Sequence, residues 1–145
     1  MLRLLLTATL MVFFVKAPAQ DCTDFHLGQC EIPDFSYYYN QQSKSLTLSV
    51  ARSKELQIVA YENTDYFISV CKHRKFDVLQ FKIFEDSEPR TLIYDNAENS
   101  YSETLKFTNE ATRRLVIELT LPEDKNDDTK TRCVGVLIAT RMHQK

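Results

Sequence analysis

YENTDYFISVCKHRKFDVLQFKIFED, residues Tyr61 to Asp86, decides the class of fold. Tyr66, Ile68 and Val70 alternate with Phe67, Ser69 and Cys71, and beyond the charged connection Lys72–Lys75, Leu79, Phe81 and Ile83 alternate with Gln80, Lys82 and Phe84. Strand side chains go to opposite faces in turn, so each run has one face built for a core. The stretch therefore reads as the centre of a β-sheet.

Working outward, the same period recurs. Upstream, Phe35–Tyr39 (FSYYY) has strong strand propensity, and Asn40–Lys44 is a polar turn into Ser45–Val50, where Leu46, Leu48 and Val50 share a face. Ala51–Glu55 turns into Leu56–Tyr61, and Glu62-Asn63-Thr64-Asp65 is a tight polar connection that predicts a β-hairpin. Downstream, Pro89 breaks the sheet, Thr91–Tyr94 is a short strand, and Asp95–Ser100 is polar. Leu105 and Phe107 share a face, and Leu115, Ile117, Leu119 and Leu121 form the longest alternation. Pro122–Arg132 is a polar surface loop, Cys133–Thr140 is apolar enough on both sides for a sheet interior, and the chain from Arg141 is expected to fray. Eight or nine short strands without a helical period predict an all-β fold, an antiparallel two-sheet β-sandwich.

The 145 residues leave room for one domain. Met1–Gln20 has a basic start at Arg3, an apolar run Leu4–Val15 and Ala17-Pro18-Ala19, the pattern of a secretory signal peptide. The apolar run falls short of the roughly 20 residues a membrane span needs, so no transmembrane segment is expected after cleavage. The expected organisation is a signal peptide over 1–20, an irregular segment with a disulfide loop over 21–34, a sandwich over 35–141, and a tail over 142–145. Losing Arg3 and Lys16 takes the balance from 18 basic and 20 acidic residues to 16 and 20. A mildly acidic domain without a basic patch speaks against nucleic-acid binding.

Cys22, Cys30, Cys71 and Cys133 are an even set in an exported chain, which predicts two bridges in an oxidising compartment, periplasmic or extracellular. Of the three connectivities, Cys22–Cys30 with Cys71–Cys133 is favoured, since Thr23–Gln29 makes a compact loop. A Cys71–Cys133 bond would place the last strand antiparallel to Tyr66–Cys71, with Val134, Val136 and Ile138 sharing a core with Ile68 and Val70.

The runs LQIVAYENTDYFISV, LQFKIFED and LVIEL resemble the bacterial prepeptidase C-terminal domain, a jelly-roll-like sandwich appended to exported enzymes. Asn63 and Asp65 stand where that family usually carries a glycine before its aromatic residue. With CTDFHLGQC and CVGVLI added, the chain is similar to small uncharacterised exported bacterial proteins made of such a domain alone. That resemblance implies fold and export, and no activity.

Catalytic motifs are missing: there is no Gly-x-Ser-x-Gly, His-Glu-x-x-His or glycine-rich phosphate loop, and His26, His73 and His143 are scattered. Asp124, Asn126 and Asp128 have the oxygen-ligand spacing of a calcium loop, but Gly135 stands where the bidentate glutamate belongs, and a solvated acidic loop is the alternative. The segment Asp95–Glu98 is a second weak calcium candidate, and no other cofactor is implied. Tyr37, Tyr38 and Tyr39 offer rings for sugar or peptide stacking, or else pack under the Cys22–Pro33 segment. The leading reading is an exported, non-enzymatic β-sandwich module that binds a protein or serves as an envelope accessory domain. A glycan-binding module using the tyrosines is the first alternative, and an enzyme with an unrecognised site is the second.

Overall fold

A computed structural model provides the architecture and describes residues 21–122 and 131–144. Among them are nine strands: β1 (Tyr38–Tyr39), β2 (Lys44–Ser49), β3 (Ser53–Ala60), β4 (Thr64–Lys72), β5 (Gln80–Glu85), β6 (Thr91–Asp95), β7 (Thr104–Asn109), β8 (Arg113–Thr120) and β9 (Thr131–Met142). A short helix, α1 (Phe25–Gln29), lies in the segment expected to be irregular, and a 3-10 turn spans Asn96–Asn99. Every pairing is antiparallel. One sheet runs β1-β9-β4-β7, with β2 also on β9, and the other runs β3-β8-β5-β6. The predicted two-sheet sandwich is the observed fold.

The deciding stretch is the centre of both sheets, not of one. β4 lies between β9 and β7, whereas β5 lies between β8 and β6 in the facing sheet. The connection between them carries Phe76 and Leu79, both buried, so burial of these side chains draws the chain across the sandwich. Nor is Glu62–Asp65 a hairpin, because β3 pairs with β8 while β4 pairs with β7 and β9. It is a corner between sheets. Asn63 takes the left-handed conformation there (φ 52°), which asparagine tolerates better than most residues. Asn109 holds the corner by donating its Nδ2 to the carbonyls of Ala60 (3.1 Å) and Tyr61 (2.9 Å).

β9 does lie antiparallel to β4, with Ile68 opposite Ile138 and Val70 opposite Val136, and these side chains share the inter-sheet core with Val134. The bridge from which that neighbourhood was inferred is absent. Cys22 is bonded to Cys133 and Cys30 to Cys71. The register explains the difference: Cys71 faces Gly135, so Cys133 sits diagonally across the pair, where Cα atoms lie about 7–8 Å apart, beyond the reach of an ordinary disulfide. Both sheet cysteines reach outward to the N-terminal segment instead.

Candidate functional site

The outward positions of β4 and β9 are apolar, and something must cover them. Phe67 and Cys71 from β4, with Leu137 and Ala139 from β9, form a second buried cluster with Cys30. Phe25 and Tyr37 pack against it, so residues 21–37 lie as a strap across the outer face of the sheet. Gly135 permits this close approach. A Cβ built there would come within 2.8 Å of Cys71 Sγ and of the Cα and Cβ of His26, so α1 rests directly on the strand backbone.

His26 locks the strap from within. Ser45 Oγ accepts the His26 backbone N–H at 3.0 Å and lies 2.7 Å from Nδ1, while Nε2 lies 3.0 Å from the Tyr39 hydroxyl. All groups are satisfied when Ser45 donates to Nδ1 and Nε2–H donates to Tyr39, with the ring neutral. Burial is the main reason the imidazole's pKa lies below its ordinary value, with nearby Asp24 opposing it. Through these bonds His26 ties the strap to Ser45 on β2 and Tyr39 on β1.

Between its two anchors the strap raises residues 31–36 off the sheet. At one end Cys30 is bonded to Cys71 and the Glu31 N–H donates to Ser69 Oγ (3.0 Å). At the other, the Tyr37 ring packs on Phe67 (6.0 Å between centroids) beneath the Arg141 guanidinium (4.7 Å). Inside the loop, Asp34 accepts the Ser36 backbone N–H (2.9 Å) and the Ser36 hydroxyl, and its carbonyl accepts the Tyr37 N–H (3.2 Å). Those Ser36 bonds hold the Asp34 carboxyl below its usual pKa. Phe35 stands at the tip, 99% exposed.

Beside the loop is a cleft of about 680 Å³, lined by Phe35, Ser36, Tyr38, Asp65, Arg141, Met142, His143 and Gln144. Its floor is organised by Asp65, whose carboxylate accepts from Thr108 Oγ1 (2.8 Å) and Arg141 Nε (2.9 Å) and pairs with His143 Nδ1 (2.7 Å). The Thr108 bond leads in lowering the Asp65 pKa, burial opposes it, and Arg141 and His143 add to the lowering. Arg141 also donates from Nη1 to Ser36 Oγ (3.0 Å), tying the cleft floor to the loop. The end of the chain is therefore held where fraying was expected: β9 runs to Met142, and the His143 N–H donates to the Asn63 carbonyl (2.9 Å).

The three tyrosines have separate fates. Tyr37 is half-buried under Arg141, Tyr39 bonds to His26, and Tyr38, 74% exposed, contributes to the cleft. Asp124, Asn126 and Asp128 lie outside the described residues. Asp95 is occupied by Gln80 Nε2 (3.0 Å), the Ala97 N–H (3.0 Å) and Lys82 Nζ (3.6 Å). Phe35 lies in a loop where its aromatic neighbours predict a strand, and nothing in their spacing brings Asp65, Arg141 and His143 together. Asp65 carried a signal: it is the acid at the head of an otherwise apolar alternation.

In fold, the chain is similar to PliG of Aeromonas hydrophila. That protein is a periplasmic inhibitor of g-type lysozyme, and the superposition has a TM-score of 0.51 at 7% identity, covering 77% of this chain and 92% of PliG. The likeness concerns the fold alone. No family model and no curated protein matches the chain.

Proposed function

We propose that this chain is an exported, non-enzymatic module that acts by binding another protein, and that the partner is a lysozyme. One observation carries the reading: Phe35, Tyr38 and Met142 are exposed together at the end of a disulfide-clamped scaffold, on a loop and strand ends held from beneath by Asp65 and Arg141. Surface aromatic side chains on a rigid support are the usual anchors of protein recognition. The two disulfides support an oxidising, extracytoplasmic setting, and no helix among the described residues is long and apolar enough to cross a membrane. The fold shared with PliG supports a lysozyme as the partner.

The test is lysis of a cell-wall suspension by purified g-type, chicken-type and invertebrate-type lysozymes with increasing amounts of the oxidised protein. Stoichiometric inhibition of at least one, weakened by Phe35→Ala, is the expected result. Undiminished lysis by all three, with no complex in size-exclusion chromatography, would remove the lysozyme reading.

A further inference from the structure

We propose that residues 31–36 are an insertion loop whose Phe35 ring enters an apolar pocket on the partner, and that the rim of this pocket is positively charged. This rests on the lysozyme-binding reading and adds which element penetrates and what receives it. Phe35 exposes as much surface as it would in an extended chain, and the flanking Ile32 is 71% exposed, so the loop projects apolar side chains that this molecule leaves uncovered. Burial of such rings on association is a large source of binding energy.

Ordering costs are low because the loop is already held in shape. Cys30–Cys71 and the Ser69 bond fix its start, the Tyr37–Phe67 packing and Arg141 fix its end, and Asp34 bonds hold its middle. A loop restrained at both ends binds a concave site without first losing freedom.

Charge selects the occupant. Residues 21–43 contain Asp21, Asp24, Glu31 and Asp34 and no lysine or arginine. All four acids are exposed, and the one histidine of this stretch, His26, is buried with its pKa lowered by that burial. The loop's own exposed charges, Glu31 and Asp34, are thus negative, while the cations nearest to them, Arg141 and Lys106, lie at its base beside Asp34, so the projecting part complements a cationic rim and speeds encounter with it.

The experiment measures association and dissociation rates of the oxidised protein with immobilised g-type lysozyme at low and high salt, alongside inhibition of cell-wall lysis. Phe35→Ala is expected to raise the dissociation rate by roughly 30-fold, as loss of a hot-spot ring does. The double variant Asp24→Asn, Glu31→Gln removes two charges for which the structure shows no side-chain hydrogen bond. It is expected to slow association roughly 3- to 10-fold at low salt, with the difference shrinking as salt screens it. Inhibition that persists with both variants unchanged overturns the insertion loop while leaving the lysozyme reading intact. Lack of both binding and inhibition removes that reading and the loop's occupant together. A dimer in sedimentation velocity that Phe35→Ala dissolves makes the occupant a second copy of the chain and likewise overturns the proposal.

Discussion

The two faces of β4 and β9 solve the same problem by different means. Inward, Tyr66, Ile68, Val70, Val134, Val136 and Ile138 join a cluster of nineteen buried residues, counted among the described ones, spread over both sheets. Outward, five buried residues form the second cluster, and two of the five, Cys30 and Cys71, are bonded to each other. The inner face is held by the amount of apolar surface it removes from water, about 25 cal/mol per Å². A five-residue core cannot hold a strap against its chain entropy in that way, so covalent links do it. The outer layer thus depends on covalent links where the inner one depends on buried area.

Breaking both disulfides is the sharpest way to test this, and it should have the largest effect. In the chain-entropy picture, closures spanning 111 and 41 residues are worth about 5 and about 4 kcal/mol. Reduction should lower stability to denaturant by several kcal/mol, and hydrogen exchange should show residues 25–39 losing protection before β5 and β8. Simultaneous loss everywhere would dissolve the distinction between layers. Non-reducing peptide mapping checks the premise: a Cys22–Cys30 peptide would contradict the strap.

Truncating one residue on each face comes next. Ile138→Ala, in the inner core, is expected to cost about 3–4 kcal/mol, and Leu137→Ala, its outward neighbour, about 2 kcal/mol, because the strap can settle into the space. Equal costs in denaturant titrations would mean that the outer layer is packed as firmly as the core. Gly135→Ala should cost about 1–3 kcal/mol by pushing α1 off the sheet, and should enhance proteolysis of the strap selectively.

Acid should have the smallest effect and should act on the strap first. The pKa of His26 is depressed in the folded state, so its contribution to stability is complete above the unfolded value of about 6.5 and is lost as pH falls through the folded one. Asp65 is also depressed, so what it contributes is present above its ordinary value and lost only at lower pH. A stability profile should therefore soften below about pH 6.5, where His73, also lowered by burial and by neighbouring cations, contributes too, and His26→Gln should flatten the His26 part of that step. A profile unchanged by His26→Gln would show that the imidazole is not what titrates.

Much of the sandwich was legible because period two reports burial on one face. The alternations at Tyr66–Cys71, Leu79–Phe84 and Leu115–Leu121 mark β4, β5 and β8, and the two-sided apolarity of Cys133–Thr140 marks a strand covered on both faces. Which sheet each strand joins was not legible, because a polar corner such as Glu62–Asp65 reads like a hairpin turn when nothing local tells a partner from a facing sheet. Cysteine spacing misled for a related reason: Cys71 and Cys133 are neighbours, yet diagonal in a register that sequence does not show. The cleft was hidden because Asp65, Arg141 and His143 meet across 78 residues of chain. The exposure of Phe35 was not legible because strand propensity describes a residue's preference, while exposure depends on anchors at Cys30 and Tyr37.

The Cys22–Cys133 bond turns almost the whole described polypeptide into a ring. A linear chain cut once becomes two molecules, but a ring cut once becomes a single linear one. Any single backbone scission between those cysteines leaves the pieces tethered, with the strands still neighbours and the strap still in place. That closure converts the first proteolytic event from destruction into a nick.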